Sequence, residues 1–248
     1  MKLTVVGCGD AFGSGGRLQT CYRVETKAAG AFLIDCGATA LIGHQRAGLD
    51  PSAIRTILIS HLHGDHFGGL VWWLLHCVHI AKRTAPLVIA GPAGIEQRLR
   101  QAVEALFPGA LAVPLPFEMR FTELRAGQRV EVGGLAVTPF EVSHPSGAPS
   151  HALRIEVDGR TLAFSGDTEW VESLVPCAQG ADLFVCECYA FDRSARYHMN
   201  WVKLSAELPR IGARQVMITH MSAAMLVHQA IARRAGVIVA EDGMVLEI

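Results

Sequence analysis

Four side chains that can bind a metal ion lie within one short segment of this chain. The segment reads Ser60-His61-Leu62-His63-Gly64-Asp65-His66. Borderline divalent cations such as Zn²⁺ prefer imidazole nitrogens and carboxylate oxygens as ligands. Alternating positions aim their side chains at adjacent points, and we expect Gly64 to let the backbone turn sharply enough for all four to converge. The segment therefore predicts a metal site, and the alternative is a set of histidines on a surface turn.

Three further candidate ligands each follow an apolar segment that is typical of a strand, as His61 does. They are His144, Asp167 and His220, which follow residues 137–142, 162–164 and 216–219. In layered α/β folds the loops at the ends of strands converge on one edge of the sheet, where active sites gather. Taken alone, His144 or His220 would be interpreted as a hydrogen-bonded histidine. Beside the cluster, these residues are predicted to be ligands.

Short apolar segments rich in β-branched residues recur along the chain and predict strands. They span residues 3–6, 32–34, 54–59, 87–90, 153–157, 162–164, 183–185, 216–219 and 237–239. Gly-Gly or Asp-Gly pairs stand between such segments and predict hairpin turns. These pairs occupy residues 133–134, 158–159 and 242–243.

Helical patterns alternate with some of these strands. Pro92 suits the first position of a helix over residues 92–107, and Ser222 is the predicted N-cap of a helix that runs to about residue 234. The helix after His66, which carries Trp72 and Trp73, is apolar nearly all round. Such a helix is either enclosed by the core or partly covered by another subunit. With no linker or internal repeat, the mixture of hairpins and β-α units predicts a single domain over residues 1–248.

Composition excludes several classes of protein. Half of the residues are apolar and 18% are charged, so the chain can bury a large core. The net charge of −1 provides no general positive field that would attract nucleic acid. The longest apolar segment, near residues 70–80, is too short to cross a membrane, and the N-terminus lacks the apolar centre of a signal peptide. Seven cysteines without regular spacing indicate reduced thiols, and a cytoplasmic protein is expected.

The order of these ligands and the sequences around them resemble the metallo-β-lactamase superfamily, and within it the branch of ribonuclease Z and cyclic phosphodiesterases. The matching motifs are SHLHGDHFGGL, FSGDT, ITHMS, GPAGIEQRL and ADLFVCECY. The resemblance implies an α/β fold of the metallo-β-lactamase type, an αβ/βα four-layer sandwich with two divalent metal ions at its upper edge. One ion would be held by His61, His63 and His144, the other by Asp65, His66 and His220, and Asp167 would bridge. Zinc is the default for such ligands, and manganese or iron also fits.

The resemblance also implies three catalytic residues. His198 matches a histidine that contacts the scissile phosphate and the leaving group, and Glu187 matches an acidic residue that orients that ring. Two metals about 3.5–4 Å apart would lower the pKa of a shared water toward 7, and Asp65 could aim that water. The alternative for His198 is a solvated histidine on a loop. Asp35, in the Asp-Cys-Gly turn, is expected to support the site without binding metal.

The sequence departs from ribonuclease Z where that enzyme grips tRNA. The long arm of ribonuclease Z is inserted between the positions of His144 and Asp167, where this chain has room only for two strands and a turn. We therefore predict a phosphodiesterase for a small, cyclic or linear substrate, with no efficient tRNA binding and no membrane partner. Hydrolysis of a lactone or thioester, a ribonuclease Z-like nuclease and an inactive sensor are the alternatives. The helix with Trp72 and Trp73 predicts a homodimer, and Arg17 is a weaker candidate for a phosphate contact.

Overall fold

The computed structural model describes residues 1–248 and contains two seven-stranded sheets. In spatial order, the first sheet consists of β14 (Val245–Glu247), β1 (Lys2–Gly7), β2 (Cys21–Thr26), β3 (Gly30–Ile34), β4 (Ile54–Leu58), β5 (Leu87–Gly91) and β6 (Met119–Glu123). The second consists of β13 (Ile238–Val239), β12 (Val216–Thr219), β11 (Leu183–Glu187), β10 (Arg160–Phe164), β9 (His151–Val157), β8 (Leu135–Glu141) and β7 (Val130–Val132).

Eight helices cover the outer faces of the sheets. They are α1 (Ala40–Arg46), α2 (Gly64–Phe67), α3 (Gly69–His79), α4 (Ile95–Leu106), α5 (Leu174–Ala178), α6 (Trp201–Ile211), α7 (Ala223–Leu226) and α8 (Gln229–Arg234). Two 3-10 turns occupy Ser14–Gly16 and Pro51–Ala53. No helix has the length and apolar character needed to cross a membrane.

Three apolar cores separate the layers. Side chains alternate between the faces of a strand, so Phe32 and Leu33 of β3 enter different cores. Phe32 packs with side chains of both sheets, including Phe164 of β10. Leu33 packs on the side of α3 and α4, and a third core joins the second sheet to α5, α6 and α8. The αβ/βα four-layer sandwich is therefore confirmed.

Parallel strands bring the candidate ligands to one edge. Strands β3 to β6 run parallel in the first sheet, and strands β10 to β13 run parallel in the second. The carboxyl ends of β4, β10 and β12 therefore lead directly into the segments that carry His61, Asp167 and His220. Between His144 and Asp167 the chain forms only the antiparallel pair β9 and β10.

All ten predicted strand segments, including residues 137–142 before His144, overlap strands, but four strands were not predicted. Strand β2 was not predicted because Arg23 and Glu25 interrupt its apolar pattern. Their side chains pair with each other on the strand. Strands β6, β7 and β14 lie at the ends of the sheets, where little of their surface is buried. An apolar pattern is weak where a strand has few buried neighbours.

Three local predictions were wrong in detail. Residues 242–243 do not form a hairpin, because they lead from β13 in the second sheet to β14 in the first. Pro92 lies in the turn before α4, where its carbonyl accepts from the Ile95 amide. Gly94 is the residue that precedes the helix. Ser222 does cap a helix, but α7 ends at Leu226 and α8 is separate.

The apolar helix α3 is mostly enclosed within the subunit. Trp73 is 1% exposed and its ring contacts His44 edge-on, with ring centroids 4.9 Å apart. Trp72 is 38% exposed and packs edge-on against Phe107. Trp73 is therefore unavailable as a subunit contact, and the homodimer stays a prediction.

Substitution of Trp73 by glutamate should unfold the protein or lower its free energy of unfolding by at least about 3 kcal/mol, because a charge would replace a fully buried ring. Trp72→Glu, the matched control one residue away, should remain folded. Urea denaturation followed by circular dichroism measures both variants. Equal stability of the two variants would contradict this assignment of the rings.

Light scattering of the unmodified protein tests the homodimer, and a monomer at micromolar concentration would contradict it.

Candidate metal centre

Seven potential ligands meet at the shared edge of the two sheets. His61 and His63 follow β4. The short helix α2 begins at Gly64 and carries Asp65 and His66. The other three chain segments contribute the remaining ligands from the second sheet. These are His144 after β8, Asp167 after β10 and His220 after β12.

The first group of ligands consists of three histidines. The ligand atoms of His61, His63 and His144 all lie within 4.8 Å of one another. His63 Nδ1 is 2.9 Å from His144 Nε2, and the rings stand nearly perpendicular to each other. Three nitrogens at this spacing can converge on one cation.

The second group combines two carboxylates with two imidazoles. Asp65, His66, Asp167 and His220 are all buried, and their ligand atoms also lie within 4.8 Å of one another. His66 Nε2 is 3.4 Å from Asp65 Oδ2 and 3.2 Å from Asp167 Oδ1. Mixed nitrogen and oxygen ligands suit zinc and also manganese or iron.

Asp167 lies between the two groups. Its Oδ2 is 3.9 Å from His61 Nε2 and 3.8 Å from His144 Nε2, both of the first group. The same oxygen is 3.2 Å from His220 Nε2, which belongs to the second group. Gly166 precedes it with a φ of 58°, and an added Cβ there would lie 2.9 Å from the His151 carbonyl oxygen. A glycine is therefore needed to bring this carboxylate into the centre.

Hydrogen bonds to Nδ1 orient the imidazoles of His61, His144 and His220 so that Nε2 points inward. His61 Nδ1 is 3.0 Å from Ser60 Oγ, and His144 Nδ1 is 3.0 Å from the Tyr197 carbonyl. His220 Nδ1 faces Thr20 Oγ1 at 3.4 Å. A partner on one ring nitrogen fixes the tautomer and leaves the other nitrogen for a metal.

Asp35 organises the segment around His66, as expected from its Asp-Cys-Gly turn. Asp35 Oδ2 is 2.6 Å from His66 Nδ1, and it also accepts from the Ser60 hydroxyl at 2.7 Å. Asp35 Oδ1 accepts from the Ser60 amide at 2.7 Å. Asp35 is fully buried with a φ of 56°, a strained backbone for a residue other than glycine. One carboxylate thus positions both ends of the metal-binding segment.

The burial of the centre controls its protonation. Burial lowers the pKa values of His61, His144 and His220, which favours the neutral imidazoles that bind metals. Burial alone would also lower the pKa of His66, but the surrounding carboxylates raise it well above its ordinary value. Burial opposes ionisation of Asp65, yet His66 beside it lowers the pKa of this carboxyl to about 2. Asp65 is therefore ionised at neutral pH.

Buried polar atoms without partners show that these residues fit a metal. His61 Nε2, His66 Nε2 and Asp167 Oδ1 are buried and make no hydrogen bond of acceptable geometry. Such atoms normally cost free energy unless something satisfies them. Because they point at the same small volume and belong to metal-binding residue types, divalent cations would satisfy them. The cluster can hold metal ions.

His198 and Glu187 form a pair beside this cluster. His198 Nδ1 lies 3.2 Å from both carboxylate oxygens of Glu187, which is fully buried at the end of β11. The ring of His198 lies 4.8 Å from that of His144. Burial opposes protonation of His198, but the hydrogen bond and charge of Glu187 raise its pKa to about 9. Glu187 therefore favours the protonated imidazole and engages its Nδ1.

The cluster opens into a pocket of about 310 Å³, which we call the metal pocket. Phe12 and Tyr189 line it, and neither was identified from the sequence. Tyr189 follows β11 and lies 4.8 Å from the His198 ring, so its position after a strand was a usable signal. Arg17 is not among the residues that line this pocket.

The expectation about Gly64 was wrong. Its φ is not positive, and an added Cβ would contact nothing. A close approach occurs instead at Gly69, where an added Cβ would lie 2.1 Å from the Gly37 carbonyl oxygen. This close approach packs the start of α3 onto the turn that contains Asp35.

Comparison with known proteins identifies the family. A family model described as Anti-Pycsar protein Apyc1 matches residues 1–242. The chain belongs to this family. A ribonuclease Z from Agathobacter rectalis is 28% identical in an alignment that covers 78% of this chain and 79% of that protein.

Solved structures share the fold. The metallo-β-lactamase fold protein YhfI from Bacillus subtilis superposes with a TM-score of 0.81 at 23% identity, over 100% of this chain and 99% of that one. A diphosphatase from the PhnP family superposes with a TM-score of 0.78 at 20% identity, over 100% and 97% of the two chains. The resemblance to the metallo-β-lactamase superfamily and to its ribonuclease Z branch is confirmed, and the chain is related to hydrolases.

Replacement of Asp35 by asparagine should weaken metal binding by about 10- to 100-fold, because His66 would lose the carboxylate that orients its ring. Competition with a chelator for Zn²⁺ measures the affinity, and circular dichroism checks that the variant is folded. Glu131→Gln, on the edge strand β7, is the control and should bind like the unmodified protein. A folded Asp35→Asn variant with unchanged affinity would contradict the role of Asp35.

Proposed function

We propose that this protein is a phosphodiesterase with two divalent metal ions that hydrolyses a small phosphodiester, and within that class a cyclic nucleotide. The observation that carries the proposal is the pair of His198 and Glu187 at the wall of a pocket whose floor is the ligand cluster. Membership of the Anti-Pycsar family supports cyclic-nucleotide hydrolysis. The relationship to a ribonuclease Z and to a diphosphatase fold supports chemistry at phosphorus.

The ligand cluster would hold the two ions, with His61, His63 and His144 on one and Asp65, His66 and His220 on the other. Asp167 would contact both, because one of its oxygens lies between the two groups. When bound, such ions neutralise the phosphate oxygens and lower the pKa of a coordinated water to about 7. Zinc is our first choice of metal.

His198 would act as the general acid. Its Nδ1 is engaged by Glu187, so Nε2 is the nitrogen available to the substrate. Attack of hydroxide would form a new phosphorus–oxygen bond as the ester bond breaks, and the leaving alkoxide would take the proton from Nε2. A positioned general acid contributes about 10²–10⁴-fold to such a step. Glu187 acts through His198 and is therefore a positioning residue.

A ribonuclease Z-like activity is the second candidate, because a relative of that name covers most of the chain. The structure disfavours it. Affinity for RNA comes mainly from cations placed against backbone phosphates. The segment between His144 and Asp167 forms only β9, a turn at Asp158 and Gly159, and β10, with Arg154 and Arg160 as its basic residues. Both arginines are paired with acidic side chains.

Replacement of His198 by alanine should leave metal content unchanged and lower kcat on alkyl phosphodiesters by about 10²-fold or more. The loss should shrink for a nitrophenyl ester, because nitrophenolate needs little protonation to leave. His228→Ala, a histidine stacked on Phe191 outside the metal pocket, is the control. Steady-state kinetics on the two ester types measures the difference. Equal losses on good and poor leaving groups would remove His198 from the acid role.

The function itself is tested on one metal-loaded preparation with five substrate types. We expect turnover of bis-nitrophenyl phosphate and of cyclic nucleotides, and slow or inaccurate cleavage of a precursor tRNA with a 3′ trailer. A lactone and a thioester should be poor substrates. Preferred turnover of the lactone or thioester would refute the phosphodiesterase, and efficient, accurate removal of the trailer would favour the nuclease. Protein stripped of metal is the control for every substrate.

A further inference from the structure

A second pocket adjoins the metal pocket. It has a volume of about 490 Å³, within the range of about 300–1,000 Å³ that is typical of small-molecule sites. We call it the side pocket. Ala11 and Asp65 belong to the walls of both pockets, so the two spaces meet at the ligand cluster. A molecule bound at the cluster can therefore extend into the side pocket.

The walls of the side pocket are apolar. Its large apolar residues are Phe67, Val71, Trp72 and Leu106, and no lysine, arginine or histidine is present. The only charge is the carboxylate of Asp65, at the boundary with the metal pocket. An anionic phosphate is therefore disfavoured here, and an uncharged apolar group is favoured. The half-exposed indole of Trp72 offers a flat surface for a planar ring.

Gln19 also belongs to the wall of the side pocket. Gln19 Oε1 is buried and has no hydrogen-bond partner. The amide orientation follows from its nitrogen, because Gln19 Nε2 donates to the Ala11 carbonyl at 3.1 Å. The Gln19 backbone amide donates to Thr39 Oγ1 at 2.8 Å. The side chain is thus held at both ends, and a buried acceptor is left without a donor.

An unsatisfied buried acceptor costs about 1–3 kcal/mol, so a ligand that brings an N–H group to it gains affinity. A planar, uncharged ring with an N–H edge, attached to a phosphate, matches the three features of the site. We propose that the side pocket binds the base of a nucleotide substrate, with Gln19 Oε1 accepting a hydrogen bond from a base N–H group. This assignment rests on the proposed phosphodiesterase function and names the part of the substrate that sets specificity.

The acceptor is tested by matched changes on protein and substrate. Gln19→Leu should raise KM for adenosine 3′,5′-cyclic phosphate by about 3- to 10-fold, as loss of one hydrogen bond does. For the purine analogue without the amino group, and for a ribose cyclic phosphate without a base, KM should be unchanged. The kcat should be unchanged on all three. An equal rise in KM on all three substrates would overturn the role of Gln19.

The pocket as a whole is tested with Trp72→Ala, which should raise KM for both nucleotides but not for the ribose compound. Val245→Ala, an exposed apolar residue on β14, is the control. Unchanged KM together with a smaller mass in light scattering would assign the pocket to a subunit contact and overturn the proposal.

Failure of the proposed function has a different signature. If the unmodified, metal-loaded protein hydrolyses no phosphodiester, the phosphodiesterase is refuted. Binding of free adenosine, observed by NMR, then tests whether the side pocket binds a base, independently of catalysis. Binding that is weakened by Gln19→Leu supports the base site, and no binding overturns it.

Discussion

The burial of ionisable side chains in one small volume is the constraint on which the rest of the structure depends. Asp35, His61, His66, Asp167 and His220 are each at most 2% exposed. Removing a charge from water costs several kcal/mol unless partners compensate for it. The structure provides those partners in an outer layer of hydrogen bonds and leaves the inward atoms unpaired. Metal ions are what would balance them, so metal binding and the stability of this edge are linked.

The two sheets divide the centre between them. The first sheet delivers one continuous segment that carries His61, while the second delivers single residues from separate strands. The apolar core between the sheets therefore sets the distances between the two sets of ligands. Strained backbones occur on both sides, with a φ of 56° at Asp35 and at His220. Each is held by its amide, which donates to the carbonyl of Leu58 or of Cys8.

The proposed chemistry follows from the division of polarity around this edge. The ligands and His198 surround the metal pocket, which suits a phosphate that develops charge as its ester bond breaks. The side pocket next to it lacks cationic side chains. The phosphate of a substrate would therefore bind in the metal pocket and its uncharged base in the side pocket. A small substrate bound at this centre requires no extended basic surface for its affinity. The short turn between β9 and β10 agrees with this, because it provides no such surface.

Local patterns in the sequence were sufficient for much of the fold and for the ligand set. Apolar strands with high β-propensity were identified wherever both faces are buried, as in β4 and β12. The strands that were missed are short edge strands or carry a charged pair, as β2 does, because periodicity reports burial and little else. Which turn joins strands of the same sheet was also not determined locally. Residues 242–243 have the composition of a hairpin turn, yet they join different sheets.

The sequence by itself determined which residue types can bind metal, their order along the chain and the family that shares this order. Only the tertiary structure decided how they are used. It set the distances that place Asp167 between the two ligand groups and His198 beside Glu187, as the resemblance implied. It also enclosed Trp73 and left Trp72 exposed. It also brought Gln19 to a pocket beside Asp65. The physical reason is that ligand chemistry belongs to individual side chains, whereas distances, burial and unpaired atoms arise only when segments far apart in the chain pack together.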